Sequence, residues 1–329
     1  MRDDQNLAAW IQKYIGNEQF DEVIFIGSGS SYYQALTMAS TYRKWLDKAA
    51  SAYPSSEIYL FCENAAISSK RTLLVGVSRS GESSEVILAL ESVKTMANWT
   101  ICGITCYESS TMAQICECIV SPLGKEESTV MTKSFSSMTF LMQYAISFVA
   151  ADEKLKTDLV NVSDLTNQVV RNSDNVMKSL TQHSTFNKYI YLGMGSYYGL
   201  AQEGCLKMKE MSYVWTESYG TLEFRHGPKS IVDQDTLVCL FVSEQARAYE
   251  LKVAEEMKAY GAFILLIVSQ AGTDTQFADL VFEIGGRELC DDARATLYLP
   301  AIQYLGYYTA LKLGVDPDHP RNLSQVVKI

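Results

Sequence analysis

The sequence predicts an α/β protein built from two tandem, doubly wound parallel sheets. Apolar runs without alternation, as at residues 23–27, indicate strands that are buried on both faces. Glycine- and serine-rich turns follow these runs and lead into helical patterns, which is the order of a βαβ fold. The pattern then returns: Gly27 and Gly193 are 166 residues apart, as are Gly29 and Gly195. The repeat therefore predicts two similar, flavodoxin-like domains.

The first half contains strands and helices in regular alternation. The predicted strands are residues 23–27, 58–61, 73–77, 100–105 and 118–120. The predicted helices are a short amphipathic one within residues 1–18, then 30–46, 84–96 and 134–151. The last helix is apolar, but polar side chains interrupt it and it is short for a membrane span, so we expect it to be buried.

The second half begins with a polar connection at residues 152–182, whose spacing predicts a pair of helices. The predicted strands that follow are residues 188–192, 237–243, 263–269 and 280–284. We therefore predict a first domain at 1–152, a helical connection at 153–184 and a second domain at 185–329. The second domain would carry the catalytic helix, a histidine loop and the C-terminal tail.

Composition excludes several classes of function. The formal charge is −10 and the pI about 4.9, which argues against nucleic acid or an anionic membrane as a partner. The eight cysteines lie in apolar runs without paired zinc spacing, and the three histidines form no cluster, so we expect no metal and no cofactor. Reduced cysteines and the lack of a signal-peptide pattern at the N-terminus predict a cytoplasmic protein.

Serine-rich turns in the first half predict an anion site. Ser28, Ser30 and Ser31 follow the first strand, residues 78–84 follow the strand at 73–77, and a third such turn lies at 128–137. Hydroxyls and helix N-terminal amides together can hold a phosphate, and Arg79 could add charge. Simple helix capping by these serines is the alternative. Neither the ATP nor the dinucleotide glycine pattern is present, so a sugar phosphate fits better.

A helix in the second half carries a candidate acid–base set. Glu203, Lys207 and Glu210 fall at i, i+4 and i+7 and so share one helical face. A loop with His226 before a Gly-Pro pair follows. A carboxylate beside a lysine, with a fixed histidine, suits proton transfer. The alternative is an ordinary surface helix with a Glu–Lys pair.

Five motifs together resemble the sugar isomerase (SIS) domain family over essentially the whole chain. They are Gly-Ser-Gly-Ser-Ser at 27–31, Ser-Arg-Ser-Gly-Glu-Ser at 78–83, Thr-Lys-Ser-Phe at 132–135, the helix at 203–210, and Glu-Phe-Arg-His-Gly-Pro-Lys-Ser at 223–230. The resemblance is to double-SIS phosphosugar isomerases and amino-sugar-phosphate deaminases. Similar members are the isomerase domain of glucosamine-6-phosphate synthase, without its glutaminase domain, and tagatose-6-phosphate ketose/aldose isomerase.

The resemblance implies roles for individual residues. Glu210 would be the base that moves a proton between C1 and C2, Lys207 would help to position the substrate, and His226 would assist ring opening. The histidine loop would reach the site of a neighbouring chain, which implies a homodimer. Gln325 stands where the synthase has its Schiff-base lysine, so we expect no covalent imine through the tail. The implied substrate- and phosphate-binding residues are Ser31, Ser78, Arg79, Ser80, Ser83, Thr132 and Ser324.

The expected function is isomerisation of a hexose or aminohexose 6-phosphate, with loss of ammonia when the substrate is glucosamine or galactosamine 6-phosphate. Three alternatives remain open at this point. The same enolisation chemistry would serve a deglycase for fructosamine-type 6-phosphates. Ammonia-dependent synthesis is deamination run backwards. A sugar-phosphate sensor without activity is the third alternative, although the chain carries no DNA-binding pattern that would support it.

Overall fold

A computed structural model of the chain describes residues 5–329. Contacts divide the chain into two compact units: the first runs to Lys156 and includes the tail Ser324–Ile329, and the second is Thr157–Leu323. Each unit contains one five-stranded sheet in which all paired strands are parallel. The tail thus groups with the first unit by its contacts, and the predicted domain boundaries at 152 and 185 remain a prediction.

The first unit alternates strands with helices, as the sequence predicts. Its strands are β1 (Glu22–Gly27), β2 (Ala50–Pro54), β3 (Thr72–Val77), β4 (Trp99–Thr105) and β5 (Cys118–Val120). Its helices are α1 (Gln5–Trp10), α2 (Ser30–Leu46), α3 (Ser55–Ala65), α4 (Ser84–Val93), α5 (Thr111–Ile115) and α6 (Lys133–Ala150). The strand order is β2-β1-β3-β4-β5, which is the flavodoxin-like order.

Both faces of this sheet are covered. Val23 and Phe25 pack in a core with residues of α2 and α6. Ile24 and Ile26, which point to the other face, pack in a second core with residues of α4. Successive side chains of a strand alternate between faces, so an unbroken apolar run supplies both cores at once.

One predicted strand is wrong. Residues 58–61 lie in α3, and the second strand is Ala50–Pro54. The strand β2 is at the edge of the sheet and only half-buried, so it lacks the apolar run by which the other strands were predicted. Pro54 precedes the helix and Glu57 lies in its first turn, both of which favour a helix start at Ser55.

The predicted helix pair at 152–182 is also wrong, because the structure contains one 31-residue helix, α7 (Glu153–His183). No glycine or proline interrupts this segment, so nothing in the sequence ends the helix midway. At the N-terminus, α1 continues into a π-helical turn at Ile11–Ile15; residues 1–4 of the predicted helix lie outside the described residues. None of the helices within residues 5–329 is long and apolar enough to cross a membrane.

The second unit repeats the architecture of the first. Its strands are β6 (Lys188–Leu192), β7 (Thr216–Tyr219), β8 (Thr236–Phe241), β9 (Phe263–Val268) and β10 (Leu280–Glu283). Its further helices are α8 (Tyr197–Ser212), α9 (Arg247–Ala259), α10 (Asp291–Arg294) and α11 (Leu299–Lys312). The order β7-β6-β8-β9-β10 has the same connectivity as the first sheet.

The paired glycines explain why the repeat is visible in sequence. Gly29 and Gly195 have φ of 57° and 56°, a left-handed conformation that favours glycine. A Cβ on Gly27 would lie 2.4 Å from the backbone of Ser31, and a Cβ on Gly193 would lie 2.4 Å from the carbonyl oxygen of Tyr197. Each sheet therefore needs glycine where its first strand passes closely into the following helix.

Candidate active site

The predicted anion site lies where the first sheet changes winding direction. The strands β1 and β3 are neighbours in the sheet, and the helices that follow them, α2 and α4, pack on opposite faces. Chains that leave adjacent strands in opposite directions open a crevice at the carboxyl edge, where doubly wound proteins bind ligands. The predicted phosphate-binding residues Ser31 and Ser78 follow these two strands, and both are buried.

The turn between β3 and α4, residues 78–83, is held in one shape by its own side chains. The Ser78 hydroxyl accepts a hydrogen bond from the Gly81 amide at 3.0 Å and lies 3.3 Å from the Ser83 hydroxyl. The Ser80 hydroxyl accepts from the Glu82 amide at 3.1 Å. Gly81 has a φ of 67°, and a Cβ there would lie 2.2 Å from the hydroxyl oxygen of a neighbouring serine. We call this segment the β3–α4 turn.

This turn leaves backbone donors without acceptors. Within residues 5–329 the amides of Arg79 and Ser80 make no hydrogen bond. The helices α2 and α4 also begin without a side-chain cap, because neither Gly29 nor Ser83 caps the helix that follows it. The alternative of simple serine capping therefore fails at α4. The amides at residues 31–33 of α2 have backbone acceptors, so the donors that would favour an anion are the unpaired amides of this turn.

The predicted phosphate contact from Arg79 competes with contacts inside the protein. Its guanidinium donates to the Glu126 carboxylate at 3.3 Å and to the carbonyl oxygens of Ser128 and Thr129, both at 3.1 Å. The Arg79 and Glu126 side chains are only 6% and 5% exposed. A weaker contact at 3.5 Å reaches the carbonyl oxygen of Gln325 in the tail. Arg79 thus orders the loop around residues 126–132.

Glu126 is a central residue of this region that the sequence analysis missed. Its carboxylate also accepts from the amide and hydroxyl of Thr132, at 3.1 and 2.9 Å, and from the Ser134 hydroxyl. The backbone amide and hydroxyl of Thr132, a predicted binding residue, are therefore both bonded to Glu126 just before α6 begins. Glu127 follows directly in the sequence and is exposed, so no local pattern marks Glu126 as the buried one. Ser324 is exposed, and its hydroxyl bonds the carbonyl of Val326.

The candidate acid–base set lies in the second unit, on α8. Lys207 is fully buried between two carboxylates: its Nζ is 3.4 Å from Glu203 Oε1 and donates to Glu210 Oε2. The Glu203 side chain is also 0% exposed, whereas that of Glu210 is 17% exposed. The ordinary surface pair is therefore excluded, because only Glu210 reaches solvent. Burial opposes the charge of Lys207, but the two carboxylates outweigh it and raise its pKa.

Close packing sets the position of this buried lysine. A Cβ on Gly204 would lie 2.7 Å from the Tyr191 ring, and a Cβ on Gly306 would lie 2.6 Å from the Met211 side chain. These glycines let α8 approach β6 on one side and α11 on the other. The face of α8 that carries Lys207 is therefore enclosed along most of its length.

The histidine loop is anchored by neighbouring side chains, but its histidine is exposed. Phe224 is fully buried, and Arg225 and Lys229 both pair with Glu256 of α9. His226 is exposed, and within the described part of the chain its imidazole makes no hydrogen bond or ion pair. The described contacts thus bring Glu203, Lys207 and Glu210 together but do not join His226 to them.

Two further observations concern parts of the molecule outside the predicted site. Among residues 5–329 there is no group of three or more His, Cys, Asp or Glu side chains that could hold a metal ion. A cavity of about 840 Å³ lies beside α1 and β5, lined by Trp10, Glu117 and Leu123 among others. None of the predicted site residues lines it, so its size does not connect it with the proposed chemistry.

The chain is a doubly wound α/β protein of flavodoxin-like strand order, and it carries this pattern twice. The SIS domain model matches residues 19–148 and again residues 185–288. The chain belongs to the SIS domain family, which confirms the resemblance inferred from its motifs.

Individual relatives carry sugar-phosphate names. Glutamine–fructose-6-phosphate aminotransferase (isomerizing) from Brucella abortus is 30% identical over 322 residues, 94% of this chain and 52% of that protein. The chain thus spans about half the length of this curated relative. Glucosamine-6-phosphate deaminase from Thermotoga maritima is 28% identical, with a TM-score of 0.81 over 98% of both chains. Tagatose-6-phosphate ketose/aldose isomerase from Escherichia coli, 23% identical, shares the fold with a TM-score of 0.85 over 96% of this chain and 91% of that one.

The buried ion pair in the first unit leads to a stability prediction. Replacing Glu126→Gln leaves the Arg79 guanidinium buried against a neutral amide, which should reduce the free energy of unfolding by roughly 3 kcal/mol. Urea unfolding would measure the change. Glu127→Gln is the matched control, and as an exposed change it should stay within about 0.5 kcal/mol of the wild type. Equal effects of the two substitutions would contradict the assignment.

A second prediction concerns Glu250 of α9, which is fully buried and accepts from the amide and hydroxyl of Ser243 at 2.7 and 2.9 Å. Burial raises the pKa of Glu250 from 4.5 to about 7. Above pH 4.5 the unfolded chain loses this proton while the folded chain keeps it, so the stabilisation declines until pH passes 7. The free energy of unfolding of the wild type relative to Glu250→Gln should therefore fall by about 2 kcal/mol from pH 5 to pH 8.

Urea unfolding of both proteins at the two pH values measures this difference. The exposed Glu255 of the same helix provides the control: the wild type relative to Glu255→Gln should show no comparable pH dependence. A Glu250→Gln protein whose stability follows the wild type in parallel from pH 5 to pH 8 would refute the assignment.

Proposed function

We propose that the chain is a phosphosugar isomerase that acts on an aminohexose 6-phosphate and releases ammonia from the ketose imine that it forms. The observation that carries this proposal is the buried Lys207 between Glu203 and Glu210, with Glu210 alone reaching solvent. Enolisation needs a base within hydrogen-bond reach of the proton that it removes, and Glu210 is the carboxylate of this set that is accessible from outside the protein. A relative of 28% identity whose length matches this chain bears the name glucosamine-6-phosphate deaminase.

The phosphate group would be held by the β3–α4 turn. Its free Arg79 and Ser80 amides and the N-terminus of α4 supply donors without a formal charge at the phosphate. The hydroxyls of Ser31, Ser78 and Ser83 would complete the contacts, and the Arg79 side chain would act mainly through the loop that it orders. Phosphate anchoring fixes the orientation of the sugar and so makes proton transfer effectively intramolecular.

Glu210 would transfer the proton. In the ring-opened aminohexose, the Glu210 carboxylate removes the proton from C2, and the electron pair forms the enolamine as the C1 carbonyl oxygen takes a proton from water and becomes a hydroxyl. Return of a proton to C1 gives the ketose imine at C2. Water then adds to C2, and ammonia leaves as the C2 carbonyl forms. Lys207 remains protonated because its pKa is raised, so it keeps the Glu210 carboxylate in place through the cycle.

His226 would assist ring opening, and we propose that it does so in a homodimer, at the site of the neighbouring chain. Two observations support this role. The loop is clamped by Glu256 through Arg225 and Lys229, so the histidine is held in a fixed position. The imidazole is exposed and makes no hydrogen bond or ion pair within residues 5–329, which leaves both ring nitrogens available for proton transfer.

The names of the relatives favour one pair of sugars. One group is named for fructose 6-phosphate as the acceptor of an amino group, and another relative for glucosamine 6-phosphate as the compound that loses it. Glucosamine 6-phosphate and water have together the same composition as fructose 6-phosphate and ammonia, so isomerisation with hydrolytic loss of ammonia converts the first sugar into the second. We therefore propose glucosamine 6-phosphate as the first substrate to test, with galactosamine 6-phosphate as the second.

Ammonia release from these two sugars tests the proposal. We expect release by the wild type and a loss of roughly 10²- to 10⁴-fold in Glu210→Gln, the range for removing a general base. Lys207 retains Glu203 as a partner in this variant, so the fold should survive, as thermal unfolding can verify. Glu255→Gln, the same change at an exposed site of α9, should keep full activity.

The opposite results would identify a different function. A wild type that releases no ammonia, although both sugars stabilise it against heat, would contradict the proposal and favour a deglycase or a sensor. Release by a wild type and an equal rate in Glu210→Gln would keep the activity and overturn the role of Glu210.

A further inference from the structure

One hydrogen bond of the β3–α4 turn recurs at the matching position of the second unit. At the end of β8, the Ser243 hydroxyl accepts from the Ala246 amide at 3.0 Å. In the first unit the Ser78 hydroxyl accepts from the Gly81 amide, also at 3.0 Å. Each residue of one pair is 165 positions from its counterpart in the other. The segment 243–246, which we call the β8–α9 turn, therefore shares this hydrogen bond, although Ala246 has a φ of −115° where Gly81 has one of 67°.

The two turns differ in the acceptors of the two backbone amides that directly follow the serine. In the β8–α9 turn, the amide of Glu244 donates to Asp291 Oδ1 at 2.9 Å and that of Gln245 donates to Asp291 Oδ2 at 3.0 Å. The corresponding amides of Arg79 and Ser80 have no acceptor within residues 5–329. One carboxylate that accepts from two consecutive amides takes the place that an external oxyanion occupies in such a concave turn.

The surroundings of Asp291 are those of a built anion site. Arg294 is fully buried, and its guanidinium donates to the Asp291 carboxylate and to the backbone carbonyls of Gly286 and Leu289. The Tyr197 hydroxyl lies 3.4 Å from Asp291 Oδ1. Among the described residues, Asp291 is the acidic side chain that pairs with Arg294. A buried guanidinium, two amides and a hydroxyl thus converge on this carboxylate.

The neighbouring residue covers the other polar turn of the second sheet. Asp292 is buried and accepts from the hydroxyl of Ser196, which lies 166 positions after Ser30 in the first unit. The two consecutive acidic residues of α10 therefore face the turns that follow β6 and β8. Both polar turns of the second unit contact carboxylates of the chain itself.

We propose that the Asp291 carboxylate fills an oxyanion site in the second unit, and that removing it exposes a site for a tetrahedral anion such as inorganic phosphate. In the wild type the β8–α9 turn is closed by its own aspartate, so the chain binds one phosphosugar and not two. Only this statement of stoichiometry rests on the proposed function, because the site itself follows from contacts within the second unit.

The test is the effect of inorganic phosphate on the thermal unfolding of wild type, Asp291→Ala and Asp291→Asn, with chloride used to keep the ionic strength constant. Asp291→Ala leaves Arg294 buried without a carboxylate, so its unfolding temperature should fall by roughly 10 °C in phosphate-free buffer. Millimolar phosphate should restore at least half of that loss. The wild type sets the reference, because phosphate can stabilise it through the first unit but not through the new site.

Asp291→Asn separates loss of charge from opening of the site. The asparagine side chain still fills the space and can accept from a backbone amide, so this variant should lose stability but respond to phosphate no more than the wild type. Asp291→Ser, which keeps a hydroxyl acceptor, provides a milder opening if Asp291→Ala does not fold, and it should show the same extra response. Equilibrium dialysis with labelled phosphate should count one more site in the opened variant than in the wild type.

An equal phosphate response in the wild type, Asp291→Asn and the opened variant, with equal numbers of bound phosphates, would overturn the inference. This outcome would leave ammonia release by the wild type unaffected. Conversely, a wild type without isomerase or deaminase activity would contradict the proposed function while the extra phosphate site in the opened variant still stood.

Discussion

The strand order places a constraint on both halves of the chain. In the turn that follows β3, at the switch in winding direction, two consecutive amides have no acceptor within residues 5–329. Unpaired amides at a buried position are costly unless an acceptor meets them. In the first unit the backbone amides of Arg79 and Ser80 remain free donors at this point. These unpaired donors are the reason that we propose an anion at this point of the fold.

The two units meet this demand in different ways. In the second, Asp291, which pairs with Arg294, accepts from the amides of the turn, and the fully buried Lys207 on α8 pairs with Glu210, the residue that we propose as the base. In the first, the Arg79–Glu126 pair orders the loop beside the turn, and the amides of the turn are the donors that we propose for the phosphate. In our proposal one copy of the fold binds the phosphate and the other transfers the proton. A few side chains decide whether the matching turn is open or closed in each copy.

Much of the fold could be predicted because its strands are apolar on both faces and its close glycines recur 166 residues apart. The half-buried edge strand Ala50–Pro54 escaped prediction since it lacks such a run. The shared face of Glu203, Lys207 and Glu210 followed from helical spacing alone. Their burial did not, because it depends on the packing of α8 against α11. Glu126 was missed for a related reason: only tertiary contacts distinguish it from the exposed Glu127.

We propose that one of two similar turns binds the phosphate of the substrate while the other is closed by its own carboxylate. Amide hydrogen exchange with and without glucosamine 6-phosphate tests it most directly, because it reports on the backbone amides themselves. We expect the sugar phosphate to slow amide exchange at residues 79–86 and to leave exchange at residues 244–250 unchanged. Protection at the second segment, or none at the first, would contradict it.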